Sequence, residues 1–278
     1  MPARPRKATD HGGFPLIAVA CSGCPSRGVV VLFHDEYCAK SAWDIFRVST
    51  GKWRSGGRNA PGRGPNVPHM PLIVSEPGFS PQPLDYVAAW DLQRQLHASV
   101  VADPSAVGHL LLLEHPPTYT AGRRTTDADR PVDGTPVIDV DRGGLLTWHG
   151  PGQLIAYPIA RLADPMAIRD YVFRLEAALI ETLAAFGIEG VRVDGRAGVW
   201  VLTPGEADRK IAAIGIHVED GVTTHGVALN VSNALEPYDV IVPCGITDAG
   251  VTTMNLLNGG THTPESVAPT LLSALNQQ

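Results

Sequence analysis

Beyond Met70 the sequence contains one cysteine, Cys244, and one lysine, Lys210. A lone thiol and a lone amine make the search for reactive groups short. No apolar run approaches the ~18 residues that a membrane-spanning helix needs. Charge of the sign that suits nucleic acid is also missing: the net charge is −6, whereas general nucleic-acid binders are strongly basic. Neither a P-loop nor GxGxxG occurs, so a phosphate cradle with its lysine and hydroxyl is absent. Collagen-like, coiled-coil and wholly disordered readings fail on composition. What is present is a globular composition, 44% hydrophobic and 18% charged over 278 residues. That length allows one large domain or two small ones, with a sizeable core.

The average hides a break near Met70. Residues 1–70 hold ten of the 22 Lys and Arg and four of the 28 Asp and Glu, a net of +6, leaving −12 for residues 71–278. The first part also holds Cys21, Cys24 and Cys38. Residues 51–69 are dominated by Gly, Pro and Arg and cannot bury enough apolar surface to offset their ordering entropy, which predicts disorder. The apolar stretch Phe14–Ala20 ending at Cys21 superficially suggests a secretory or lipoprotein signal, but it is short and lacks the usual leucine. Cys21 and Cys24 form a CxxC with no second ligand pair at zinc spacing, so no metal site is expected. Residues 1–70 are therefore expected to be a disordered or non-native extension, with Met70 a natural start. Residues 71–278 are expected to form a single domain.

Within that domain the pattern predicts a helix from Pro83, with Leu84, Val87, Ala88, Leu92 and Leu96 on one face. Leu110–Leu113 is a short apolar run, read as a buried strand. Val137–Asp141 alternates like a strand, and Leu145–Trp148 and Leu154–Ile159 read as strands around a Gly/Pro loop. Met166–Phe186 is the clearest helix, with Gly187 where a C-terminal cap belongs. Strands follow at Val191–Val193, Gly198–Leu202, Ile211–Val218 and Gly226–Val231, the last two as a hairpin around Glu219-Asp220-Gly221. A final helix, Pro264–Leu275, has Thr263 as its N-cap. Strands linked by short loops predict an α+β fold with a mixed, largely antiparallel sheet flanked by helices.

Four stretches carry the candidate chemistry. Cys244 sits between Pro243 and Gly245, a turn that leaves the thiol uncrowded. Lone cysteines are nevertheless more often inert and buried than nucleophilic. Lys210 opens a strand of small and apolar residues. A strand-end lysine is usually just solvated; one facing a cysteine can lower the thiol pKa as an ammonium, or act as a base once deprotonated. The run from Arg142 to Gln153 holds four glycines, which let backbone approach a ligand closely. In it His149 fits an acid/base, a substrate clamp or a hydrogen-bonded loop residue, and His225, before Gly226, carries the same ambiguity. Arg123 and Arg124 form one of few basic clusters in an acidic domain, which suits an anionic partner.

Taken together, LLLLEHPPTYTAGRR (110–124), RGGLLTWHGPGQLIAYPI (142–159), GRAGVWV (195–201), RKIAAIGIHV (209–218), THGVALNV (224–231) and IVPCGI (241–246) resemble the octanoyltransferases of lipoate biosynthesis. The resemblance spans about residues 71–260. It implies a fold similar to the catalytic domain of biotin and lipoate protein ligases and a cytoplasmic location. It implies transfer of an octanoyl group from octanoyl-acyl carrier protein to a lysine of a lipoyl domain, in 2-oxoacid dehydrogenase complexes or the glycine cleavage H protein. Carried onto this sequence, Cys244 is the nucleophile and Lys210 tunes its pKa. The acyl site is lined by Arg142, Gly143, Gly144, Leu145, Leu146, Thr147, Trp148 and His149, by Ala213, Ile214 and Gly215, and by Gly226, Val227 and Ala228.

That role agrees with the residues. Passing an acyl group between thioesters conserves its activation, so no ATP and no cofactor are expected, in keeping with the missing phosphate loop. Three rivals predict different behaviour. An ATP-dependent lipoate or biotin-type ligase would not need Cys244. A cysteine thioesterase would release free octanoate without an acceptor amine. A non-enzymatic acyl-carrier-binding module would form a complex without turnover. Neither nucleic acid nor membrane is expected as a partner.

Overall fold

The computed structural model describes residues 72–131, 134–241 and 249–278. Leu110, Leu111, Leu112 and Leu113 are all at most 1% exposed, so their strand is covered on both faces, as an unalternating apolar run requires. This strand, β2 (Gly108–Leu113), belongs to an eight-stranded sheet. Across it run β1 (Leu72–Gly78), β2, β6 (Gln153–Ile159), β10 (Val222–Asn230), β9 (Arg209–Glu219), β8 (Arg196–Val201) and β7 (Val191–Val193). The eighth, β11 (Gly250–Val251), pairs with the start of β9. Pairing is antiparallel except for β1 with β2 and β11 with β9. A smaller sheet holds β4 (Val137–Asp139), β3 (Thr118–Ala121) and β5 (Leu146–His149), in that order.

Helices cover both faces of the large sheet. On one, α1 (Tyr86–Ala102) packs Ala89 and Val100 against Leu111, Leu113, Ile155 and Tyr157. On the other, α2 (Ile168–Ala185) and α4 (Pro264–Leu275) pack Leu175, Leu179, Leu183, Val267 and Leu271 against Leu110, Leu112, Leu154 and Leu229. A short α3 (Met254–Asn258) precedes α4. The expected α+β architecture, a mixed and largely antiparallel sheet flanked by helices, is the one the chain adopts.

Local signals act where the sequence places them. Asp220 and Gly221 join β9 to β10 as a two-residue turn with φ of 50° and 73°, the paired left-handed geometry that suits strand twist. The Thr263 side chain accepts the N–H of Ser266 at the start of α4. After α2, Gly187 takes φ 73°, and the N–H groups of Gly187 and Ile188 return to Ala184 and Leu183.

The first helix departs from its pattern. It is capped by Asp85, begins at Tyr86, and buries Tyr86, Ala89, Gln93 and Val100, while Val87 is 45% exposed. The buried line includes a glutamine, which apolar periodicity does not register. Strands β1 and β3 are not marked by the sequence pattern; they form by pairing, β1 along β2 and β3 between β4 and β5. The expected N-terminal extension, its CxxC and the PCGI turn with Cys244 all lie outside the described residues.

Candidate active site

A pocket with about 450 Å³ of empty space, part of it continuous with solvent, is walled by both sheets and by α1. From the large sheet come Tyr157, Ala213–Gly215 and His225–Ala228; Tyr86 comes from α1. The opposite wall is Arg142, Gly144, Leu145, Thr147 and His149. Small residues face each other across β9 and β10, Gly215 opposite Gly226 and Ala213 opposite Ala228. Gly215 leaves the space that Arg142 occupies: a Cβ there would stand 2.9 Å from Arg142 Cδ and 3.1 Å from the Gly143 oxygen. Gly226 lets neighbouring backbone close in, since its Cβ would meet the Ala156 oxygen at 2.2 Å.

Arg142 is buried and spends its guanidinium on the chain itself. It donates to the carbonyls of Gly143 (3.1 Å), Leu145 (2.9 Å) and Thr120 (2.8 Å) and to the Thr120 hydroxyl (2.7 Å). It therefore staples its own loop to β3. The adjacent carboxylate, Asp141, turns instead to His225, with Oδ1 2.6 Å from Nε2. That hydrogen bond holds the Asp141 carboxyl down at about 2 against the opposing effect of burial.

Three buried histidines surround the pocket. His115 donates from Nδ1 to the Leu84 carbonyl (2.7 Å), which leaves Nε2 to accept from the Tyr157 hydroxyl (2.8 Å). His149 donates from Nδ1 to Gln153 Oε1 (2.8 Å), and the Gln153 amide donates in turn to Asn230 and Tyr238. Burial, reinforced by His115 and Arg142, pushes His149 down to about 3; burial takes His115 down to about 4. Burial also lowers His225, outweighing the pull of Asp141. All three imidazoles are thus neutral at neutral pH. Tyr86 is raised to about 12 and Tyr157 well above its ordinary value, both by burial, so both keep their protons.

Eleven of the fourteen residues expected to line the acyl site do line this pocket. Leu146, Trp148 and Gly143 do not. The pleat of β5 points Thr147 and His149 into the pocket and sends Leu146 and Trp148 the other way, into a core with Ala121, Tyr238 and Ile241. Gly143 is tied by its N–H to the Ile216 carbonyl. Lys210 lies on β9 three residues before Ala213, roughly 10 Å along the strand, and is 8% exposed. Its Nζ stands 4.7 Å from the centre of the Trp200 ring. Arg123 and Arg124 are exposed at the rim, their N–H groups bonded to the Arg142 and Gly144 carbonyls. Tyr86, Tyr157 and Asp141 were missed by sequence reasoning, because only tertiary packing brings them to the glycine-rich loop. Among the described residues no group of three or more His, Cys, Asp or Glu is placed to hold a metal ion. No helix among them is long and apolar enough to cross a membrane.

Solved lipoate protein ligases share this fold. One from Thermoplasma acidophilum, a bipartite ligase, superposes with a TM-score of 0.53 at 14% identity, covering 67% of this chain and 78% of that one. A lipoate-protein ligase A bound with ATP gives 0.50 at 14% identity, covering 67% and 80%. In sequence, the chain is 56% identical over 202 residues to an octanoyltransferase of Leifsonia xyli subsp. xyli, covering 72% of this chain and 90% of the relative. It is 57% identical over 204 residues to an octanoyltransferase of Renibacterium salmoninarum, covering 73% and 87%. Residues 85–276 match the family model described as lipoyl protein ligase A/B catalytic domain. The chain belongs to that family, on its octanoyltransferase branch, and is an acyltransferase.

Proposed function

We propose that the chain moves an octanoyl group from octanoyl-acyl carrier protein to a lysine amine of a lipoyl domain, through a thioester on Cys244. The acceptors are the lipoyl domains of 2-oxoacid dehydrogenase complexes and the glycine cleavage H protein. The observation that carries this reading is the identity to octanoyltransferases along nearly their whole length. The pocket supports it. Along β9 and β10 its wall is made of the small and apolar residues Ala213–Gly215 and Gly226–Ala228, which suits a medium-length hydrocarbon.

In the first half-reaction the Cys244 thiolate attacks the donor thioester, and the carrier thiolate leaves. In the second the lysine amine attacks the new thioester, the amide forms, and Cys244 is released. Each bond made replaces a bond of equal or higher energy, so ATP has no step to drive. Lys210, as an ammonium, stabilises the Cys244 thiolate. The pocket segments of β9 and β10, with Arg142–His149 opposite, hold the acyl chain.

The test mixes the protein with octanoyl-acyl carrier protein and an apo lipoyl domain, without ATP, and follows intact masses. One octanoyl group should pass to the enzyme and then to the lipoyl domain, and Cys244→Ala should abolish both. Hydroxylamine at neutral pH should strip the enzyme-bound group. Labelling that survives in Cys244→Ala overturns the covalent mechanism. An ATP requirement would make the chain a ligase, and release of free octanoate without acceptor would make it a thioesterase.

A further inference from the structure

Two cross-strand pairs of small residues follow one another along the pocket wall: Ala213 opposite Ala228, then Gly215 opposite Gly226. The pair between them, Ile214 and Val227, turns its side chains to the other face of the sheet, where both join the core around Leu112 and Leu229. The four small residues therefore put nothing larger than a methyl group into the pocket, and they form a trough along the strands. Both ends of the trough are closed by side chains whose polar atoms are already engaged. At Gly215 stands Arg142, with Cδ 2.9 Å from where a Cβ would be and its guanidinium bonded to the Gly143, Leu145 and Thr120 carbonyls and the Thr120 hydroxyl. In the other direction, the next residue of β10 on the face of Ala228 is Asn230, buried, with Oδ1 accepting from Gln153 Nε2 at 2.9 Å.

The trough has a length. From Asn230 to Gly226 the strand advances four residues, roughly 13 Å. A saturated chain advances roughly 1.3 Å per carbon, so eight carbons span roughly 9 Å and twelve roughly 14 Å. The first fits with room for its terminal methyl, and the second does not. Ala213 and Ala228 lie at the middle, two residues or roughly 7 Å from either end. They are also the positions where size bears on a ligand rather than on the fold. A side chain at Gly215 would strike Arg142, and one at Gly226 would meet the Ala156 oxygen at 2.2 Å. Ala213 is half-buried and lines the pocket.

We propose that the Ala213–Ala228 pair gauges the length of the acyl chain: one methyl on each strand leaves the trough continuous for a chain of about eight carbons, and a larger side chain at either position divides it. This rests on the reading of the pocket as an acyl site. A block at the midpoint shortens the trough from both ends, so its effect is the same whichever end holds the acyl carbonyl. Half the trough accommodates about five carbons. Each methylene buried is worth roughly 4-fold in binding. The four methylenes that separate octanoyl from butanoyl are therefore worth roughly 10²-fold in the undivided trough and only a few-fold in a divided one. Chain-length preference is thus set by two residues that make no hydrogen bond to the substrate and take no part in the chemistry.

The full-length chain is assayed with butanoyl-, hexanoyl-, octanoyl-, decanoyl- and dodecanoyl-acyl carrier protein as donors and an apo lipoyl domain as acceptor, and kcat/KM is read from intact masses. The wild type should peak at octanoyl and fall at dodecanoyl. Ala213→Val adds a β-branched side chain that strands favour, and Ala228→Val does the same on the facing strand. Each should move the peak to butanoyl or hexanoyl, lowering octanoyl transfer by roughly 10²-fold while butanoyl transfer stays within a few-fold of the wild type. Ala213→Ser adds a single atom, and should give a smaller shift in the same direction if neither valine variant folds. Variants that lose activity equally with every donor, or keep the octanoyl peak, overturn the gauge. A wild-type chain that transfers no acyl group from any donor overturns the reading of the pocket as an acyl site and this proposal with it. Octanoyl transfer with an unmoved peak overturns this proposal alone.

Discussion

The side-chain carbonyl of Gln93 accepts the backbone N–H of His225 at 2.7 Å, tying α1 to β10 across 132 positions of sequence. Gln93 is 1% exposed, and the bond sets how α1 lies on the sheet. It also satisfies a backbone donor inside β10 that the left-handed turn at His225 diverts from the sheet. Gln93→Met keeps the volume and removes the acceptor. It should cost about 1–3 kcal/mol, the penalty of a buried N–H left unpaired. Urea denaturation of the two proteins checks this, and an unchanged midpoint would mean that the N–H finds another partner.

Acid should destabilise the fold earlier than carboxylates alone would. His115 and His149 have folded pKa values of about 4 and about 3, against an ordinary 6.5. The unfolded chain therefore binds more protons between these limits. Their contribution is fully present above about pH 6.5 and is lost as pH falls toward 4 and then 3. His225 and His109, both lowered by burial, act in the same direction. Between pH 7 and pH 5 the loss should be roughly 2–4 kcal/mol. Urea midpoints at the two pH values measure it; a flat profile would mean that the histidines charge within the folded protein.

Much of the fold is legible because its signals are local. Thr263 caps the final helix, Gly187 ends α2, and Asp220-Gly221 turns the hairpin, each through its own backbone preference. Leu110–Leu113 declares a strand buried on both faces. The site is less legible because its polar parts come from elsewhere. The run from Arg142 to His149 marks the loop, yet alternate residues of β5 leave the pocket, and only the pairing of β5 with β3 decides which. Tyr86, Gln93 and Asp141 carry no motif of their own. They acquire meaning when α1 and the loop meet at His225.

The rim should matter for the protein partners. Arg123 and Arg124 are exposed, and their backbone is bonded to Arg142 and Gly144 at the edge of the pocket. Residues 71–278 carry a net charge of −12, so approach of an acidic carrier or lipoyl domain would rely on a local basic patch. Arg123→Ala with Arg124→Ala should raise KM several-fold for at least one partner and flatten its salt dependence, with little change in kcat. The Debye length of ~10 Å at 0.1 M sets the scale of salt needed. Steady-state kinetics from low to moderate salt check this; unchanged KM and salt slopes for both partners would remove these residues from the docking face.

Lys210 divides charge from proton transfer. It is buried on β9, opposite Trp200 on β8, with Val251 of β11 paired on its other side. Its Nζ lies over the Trp200 ring at 4.7 Å, and the face of an indole favours a positive charge. If Lys210 acts as a fixed cation for the Cys244 thiolate, Lys210→Ala should raise the thiol pKa toward the free value of about 8.5. Both half-reactions should slow at neutral pH and recover in part at higher pH. Lys210→Arg keeps a charge that no working pH removes, although its planar head fits a site shaped for an ammonium less well. It should therefore slow acylation and transfer by similar factors. Single-turnover rates of the two half-reactions, with the pH dependence of thiol alkylation at Cys244, provide the measurement. A much greater loss of transfer than of acylation in Lys210→Arg would make Lys210 the proton carrier as well. Rates and thiol pKa unchanged in Lys210→Ala would leave it a buried strand residue resting on Trp200.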